Sequence, residues 1–211
     1  MGNGTSAWDQ LSTYSAQLLL CDLQPQIVAR SKTNEPDALG KSAGVLLEIA
    51  RLFSLPTTLS VVPEGDKAPE LISELRGSGF AQEKLRASAS QFLDEATKNL
   101  LAQSKREVLI IGGFATEAVV LHAVLDARAE GYEVLVPVDA CGGMSERTER
   151  AAPRQIEAAG AITTSVVSIA TKLAPVFTTD LGKELFNEGT RPLGEIGQHQ
   201  VRPGRKFRRT L

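Results

Sequence analysis

The chain has 211 residues, of which 42% are hydrophobic, and a formal net charge of −2. That length and apolar content suffice for one domain with a sizeable core plus a tail, and the near-neutral balance gives no electrostatic case for a nucleic-acid partner. No apolar run approaches the ~18 residues of a membrane span, and no charged segment followed by an apolar one opens the chain, so a soluble, cytoplasmic protein without membrane contact is expected.

Residues 1–15 are mostly polar and are expected to form a loose leader. A strand follows over residues 16–21 and ends at Asp22, a carboxylate closing an apolar run. Helical spacing of apolar residues spans 39–53, Leu55-Pro56 breaks it, and 57–62 forms a second strand. Residues 69–76 are expected to be helical, 79–83 a short weak strand and 91–103 a helix. Then come a strand at 107–111, a helix at 117–130, a strand at 133–138, a helix at 146–159 and a strand at 161–163. Strands alternating with helices predict an α/β fold, a doubly wound and mostly parallel sheet in a three-layer α/β/α sandwich, with ligands beyond the carboxyl ends of the strands. Asp22, the Gly112-Gly113 turn and the Asp139 loop would share that edge.

The periodic pattern decays after Phe177. The expected organisation is a leader at 1–15, a domain at 16–175 and an extension at 176–211, basic over 202–209. A solvated, flexible tail is the simplest reading of such a segment, with a subunit-clasping arm or a contact for an anionic partner as alternatives.

Residues 108–121 read VLIIGGFATEAVVL: an apolar strand, a two-glycine turn, and Thr116 placed to cap a helix whose first turn holds Val119. A cysteine in that turn would face unpaired N–H groups and the positive end of the helix dipole, which favour thiolate. Valine can do none of this. Elsewhere, Lys84 precedes Ser88 by four residues in EKLRASA, a spacing that suits either a Ser-Lys pair or a surface lysine and a loop serine. The two histidines, His122 and His199, lack ligand spacing, so no metal is expected. Gly112-Gly113 lacks the third glycine of a dinucleotide fingerprint, and no cofactor is expected. Cys21 and Cys141 form no disulfide framework.

Taken in order, the strand-end Asp22, Lys84 in its K-x-x-x-S setting, the G-x-x-T-E-x-x-V run from Gly113, the segment Gly131-Tyr132-Glu133-Val134 and the segment 138–143 resemble the isochorismatase-like hydrolase family. The resemblance reaches about Leu173 and so covers most of the chain. In the family's cysteine-hydrolase branch it implies Asp22 as proton acceptor and Lys84 as the charge that lowers the thiol pKa. Backbone of Gly113, Phe114, Ala115 and Thr116 would face a developing oxyanion, with a cis peptide near Ala115. The family's cysteine position falls on Val119, which removes the nucleophile of that covalent route.

The isochorismatases proper use the aspartate as an acid on a vinyl ether, without a covalent intermediate, and Asp22 could serve in that way if burial raised its pKa. Cys141 is the candidate for a relocated nucleophile, against the simpler reading of a thiol packed in a turn, while Cys21 points to the opposite face of its strand from Asp22. Asp139 reads as a loop-ordering side chain. Nicotinamidase is disfavoured, because Val62-Pro63-Glu64-Gly65-Asp66 stands where an aspartate-histidine cluster would be wanted. The resemblance implies a homo-oligomer and a small anionic, amide-bearing or vinyl-ether-bearing substrate. A catalytically silent homologue that binds a small ligand or protein partner is the other reading.

Overall fold

In the computed structural model, which describes residues 6–66 and 68–189, the strands are β1 (Ala16–Cys21), β2 (Thr57–Val61), β3 (Gln82–Leu85), β4 (Val108–Phe114), β5 (Glu133–Pro137), β6 (Cys141–Gly142) and β7 (Ile162–Thr164). They form one sheet in the order β3-β2-β1-β4-β5-β7, with β6 also paired to β4, and every pairing is parallel. β1 is buried along its whole length because both of its faces are covered, and its one polar residue, Gln17, donates to the Leu101 and Arg106 carbonyls. Leu18 and Leu20 enter one core cluster, while Leu19 and Cys21 enter the other, as a two-residue period requires. The chain winds outward from β1 through β2 to β3, then returns to place β4 on the other side of β1. The strand order therefore reverses between β1 and β4, and the carboxyl ends of these two strands flank the crevice where such sheets bind ligands.

The helices are α1 (Ala7–Gln10), α2 (Pro25–Val28), α3 (Pro36–Leu52), α4 (Glu95–Gln103), α5 (Leu121–Ala129), α6 (Glu146–Glu149), α7 (Ala152–Ala158), α8 (Val166–Leu173) and α9 (Asp180–Lys183). α3 starts with Pro36 in its first turn, where a missing N–H costs nothing, and buries Leu39, Ala43, Leu46 and Ile49 against β1 and β2. α5 and α7 cover the opposite face with Ala123, Val124, Ala127 and Ile156.

Several elements differ from the sequence expectation. Part of the leader is ordered: Ser6 and Asp9 form a capping box, and Ala7 and Leu11 are buried in the core. Residues 69–76 contain only one tight turn, Ser73–Leu75, since Leu71, Ile72 and Leu75 supply burial without a continuous helical face. β3 lies three residues later than expected and is mostly exposed, as an edge strand with little burial to fix its pattern. The helix expected at 146–159 is two helices, broken before Pro153. The extension is described as far as Gly189; within it Leu185 is buried and Phe177 meets Phe186 edge-on at 4.5 Å. The basic stretch 202–209 and His199 lie outside the described residues.

Cys21 at the end of β1 pairs with Gly113 of β4. Gly113 has φ +137°, and a Cβ there would stand 2.1 Å from the Cys21 carbonyl oxygen. Gly131, with φ +91°, has open space around it. Gly113→Ala should therefore lower stability by about 3 kcal/mol or more and Gly131→Ala by about 1 kcal/mol. Urea unfolding of the two variants checks this, and equal losses would remove close approach as the reason for glycine at 113.

Candidate active site

Asp22 ends β1 in a left-handed conformation, φ +54°, and its N–H donates to the Ser60 carbonyl at 2.8 Å. That turn aims the carboxylate across the end of β2 towards Arg86, the residue after β3, whose own N–H donates to the Val61 carbonyl. Arg86 Nη2 donates to both Asp22 oxygens, at 2.7 and 2.6 Å. Its Nη1 donates to the Ser88 carbonyl. The buried Gln91, with its carbonyl oxygen turned to Arg86, accepts from Nε at 3.0 Å and from Nη2 at 3.2 Å. Asp22 is 4% and Arg86 3% exposed, so this is an ion pair withdrawn from water. Burial raises the Asp22 pKa, the Arg86 charge and hydrogen bonds pull it back, and the balance leaves it at about 6, above its ordinary 3.8.

The cation beside Asp22 is thus Arg86, not Lys84. Lys84 lies in β3 opposite Ser60, and its charge acts on Asp94, whose pKa is lowered chiefly by hydrogen bonds from Thr97. The two residues are separated by one strand period, and Arg86 with Ser90 repeats the spacing of Lys84 with Ser88. That second match was the available signal. Ser88 serves the loop, where its hydroxyl donates to the Ser90 carbonyl at 2.8 Å.

On the other side of the crevice, β4 ends at Phe114 and the Phe114–Ala115 peptide is cis, as the resemblance implied. A single wide turn, Thr116–Val120, precedes α5, with the Val120 N–H donating to the Ala115 carbonyl at 3.2 Å. Thr116 does not cap this turn. Its buried hydroxyl lies 3.0 Å from the Gly142 carbonyl and 2.7 Å from Glu149 Oε1, tying the turn to the segment after β6. Glu117 Oε1 accepts from the Met144 N–H at 2.9 Å and from the Thr148 hydroxyl at 2.8 Å, reinforcing the same join. Val119 is partly buried and packs against the cluster that contains Cys21, Phe92 and Cys141.

Both thiols are buried. Burial pushes Cys141 up to about 12, with Glu149 and Asp139 adding to the shift and a hydrogen bond from the Gly113 backbone opposing it. Cys21 is also raised well above its ordinary value, again chiefly by burial, with the Asp22 charge adding. Neither is poised as a thiolate near neutral pH, so Cys141 has the environment of a packed thiol. Asp139 orders its loop: its carboxylate accepts from the Val166 N–H that starts α8, at 2.9 and 3.2 Å.

Sequence reasoning missed two clamps, one of them buried. Gln24 accepts from the Val62 N–H at 2.8 Å and donates to the Val62 carbonyl and to Glu64, fixing the end of β2 beside Asp22. Asn34 Nδ2 donates to the Val138 and Cys141 carbonyls, and Thr33 Oγ1 accepts from the Gly143 N–H, so the loop before α3 braces the Cys141–Gly143 edge. Among the described residues no group of three or more His, Cys, Asp or Glu could hold a metal ion, and no helix is long and apolar enough to cross a membrane.

Comparison with known proteins agrees with the fold. YcaC from Pseudomonas aeruginosa, solved with hexane-2,5-diol and covalent acrylamide, superposes with a TM-score of 0.80 at 25% identity, covering 90% of this chain and 96% of that one. YcaC from Escherichia coli, an octameric hydrolase of unknown specificity, superposes with a TM-score of 0.78 over 90% of this chain and 97% of its own. In sequence the Escherichia coli (strain K12) YcaC is 30% identical over 161 residues, 74% of this chain and 76% of the relative. Mouse isochorismatase domain-containing protein 2A is 27% identical over 184 residues, 87% and 86% of the two chains. The Isochorismatase domain model matches residues 16–168, the span that carries β1, the Asp22–Arg86 pair and the Gly113–Val119 turn, and the chain belongs to the isochorismatase-like hydrolase family.

Proposed function

We propose that this chain acts on a small molecule by proton transfer through Asp22, without a covalent intermediate. The observation that carries the reading is a carboxyl group at the switch point of the sheet, held by Arg86 yet titrating at about 6. A group with that pKa keeps a usable protonated fraction near neutrality and can donate to a developing carbanionic or enol-ether carbon. Val119 supports the non-covalent route, because the turn itself carries no cysteine and the two cysteines that pack near it are held as neutral thiols. A vinyl ether fits this chemistry better than an amide. Protonating its terminal carbon generates an oxocarbenium ion that water captures, whereas amide cleavage requires attack on the carbonyl carbon. Arg86 is the positioning residue of this scheme, holding Asp22 and setting its pKa.

A second reading, a silent homologue that binds a ligand or partner, draws support from the same pair: Arg86 already occupies both Asp22 oxygens. Turnover of isochorismate and simple enol ethers separates the two. Under the catalytic reading the rate is highest below pH 6 and declines as pH rises through the Asp22 pKa, and Asp22→Asn lowers it at least about 100-fold. Absence of turnover by the wild-type chain, with calorimetric binding of the same compounds, would establish the silent reading. The sign of the linkage gives an independent check. The folded-state pKa lies above the ordinary 3.8, so Asp22 contributes stability that is fully present below pH 4 and lost as pH rises towards 6, and Asp22→Asn should flatten that part of the stability profile.

Restoring sulfur tests the turn itself. Val119→Cys should be alkylated by iodoacetamide near pH 7, while Cys21 and Cys141 stay unlabelled until the protein unfolds, with mass spectrometry assigning the label. An inert thiol at position 119 in a folded variant would show that the turn no longer activates sulfur. We further propose that the chain is a homo-oligomer, as its octameric relative is. Light scattering should return a multiple of 22.5 kDa, and a strict monomer would refute it.

A further inference from the structure

Away from the site, a groove of about 480 Å³ runs along the outer face of α3. Its floor is apolar, formed by Val45, Ile49, Leu52 and Leu185, and its rim carries Glu48, Glu74 and Glu184 against Lys41 and Arg51. Arg51 is engaged at this rim, at 2.5 Å from Glu48 and 3.9 Å from Glu184. Gly44 belongs to the groove, and Gly40 lies one turn away in the depression that adjoins it. Cβ atoms at these glycines would meet Glu74 at 3.0 Å, so the small residues of α3 let this acidic side chain lie close against the helix. Two further depressions at the amino end of α3 share Lys41 or Glu74 with this groove and add Glu35 and Asp37 to the acidic side and Arg76 to the basic side.

The charge of the chain is unevenly divided. Residues 190–211 contain six Lys or Arg and one Glu, a net +5, so residues 1–189 carry −7 of the formal total of −2. Such an asymmetry attracts the segment to the body over roughly a Debye length, ~8 Å at physiological salt, before any contact forms. Glu184 and Leu185 line the groove, and the basic segment follows them in the same chain. Phe207 stands within the run Arg205-Lys206-Phe207-Arg208-Arg209, an apolar ring with cations on both sides. That pattern matches an apolar floor with a carboxylate rim. From Gly189 to Phe207 there are 18 residues, which reach at most about 60 Å when extended. α3, of 17 residues, is only about 25 Å long.

We propose that residues 202–209 dock in cis into the groove along α3, with Phe207 over Val45, Ile49 and Leu52 and the flanking cations facing Glu48, Glu74 and Glu184. The occupant is the chain's own segment because it is tethered to the rim of the groove, which raises its effective concentration above that of a free partner.

Zero-length carbodiimide coupling of the full chain tests this, since Lys206 is the only lysine in residues 190–211. Mixing isotopically light and heavy chains distinguishes coupling within one chain from coupling between two. The expected result is Lys206 joined to Glu48, Glu74 or Glu184 of the same chain, in at least five-fold preference over other carboxylates. That yield should drop at least three-fold in 0.5 M NaCl, and equally when Arg202, Arg205, Arg208 and Arg209 are all replaced by Glu. Coupling spread evenly over the surface overturns the proposal, as does preference unchanged by the charge reversal. Coupling confined to light–heavy pairs overturns it in favour of a second copy as the occupant.

Discussion

The candidate site is organised by one almost wholly buried ion pair. Asp22 and Arg86 come from loops at the ends of β1 and β3, on either side of β2, and their contact closes the carboxyl edge of that half of the sheet. An unpaired charge at this depth would be costly, so each residue requires the other, and the neighbours are arranged to satisfy what remains. Ser88 and Gln91 take up the rest of the guanidinium, and Ser60 takes the Asp22 N–H. The left-handed turn at Asp22 is the backbone cost of aiming its carboxylate across β2. Gln24 then secures the end of β2, so that the strand between the partners cannot shift without breaking bonds on both sides.

The opposite wall is built by close backbone approach. Gly113 has space for no side chain against Cys21, and Gly112 and Gly142 are similarly confined by Ala140, Leu20 and Ser31. These contacts bring the ends of β1, β4 and β6 together and let Thr116 reach the Gly142 carbonyl and Glu149. The turn that carries Val119 is therefore held by the sheet below it and by the 142–149 segment beside it. Its hydrogen-bonded ties come from residues other than 119, so a thiol placed there tests the turn.

The order of strands and helices was legible because burial on both faces leaves continuous apolar runs, as in β1 and β4, and because α3 and α5 repeat apolar residues at helical spacing. β3 was not, since an exposed edge strand has no burial to mark it. That uncertainty passed directly into the site. With β3 placed three residues early, Lys84 rather than Arg86 fell at the strand end, although both fit the same spacing to a following serine. Thr116 was misplaced for a different reason: a threonine before a helix ordinarily caps it, and only the fold shows a carbonyl and a carboxylate from residues 142 and 149 within its reach. Asp22 stood out in the sequence as a carboxylate at the end of a buried strand, and the fold shows it buried there against Arg86.

Stability alone gives no reason for the Asp22–Arg86 pair. Apolar residues of similar volume in place of a buried ion pair are often neutral or stabilising by ~1–4 kcal/mol, because desolvation offsets much of the attraction. A site without a function could dispense with both charges and the left-handed turn. This chain carries all three, at the point where the strand order reverses. Burial raises the pKa of the carboxyl group above its ordinary range, against the pull of the Arg86 charge and hydrogen bonds. A purely structural pair would be served as well by a lower value. Retaining both charges at the carboxyl edge is what the proposed acid chemistry at Asp22 would call for.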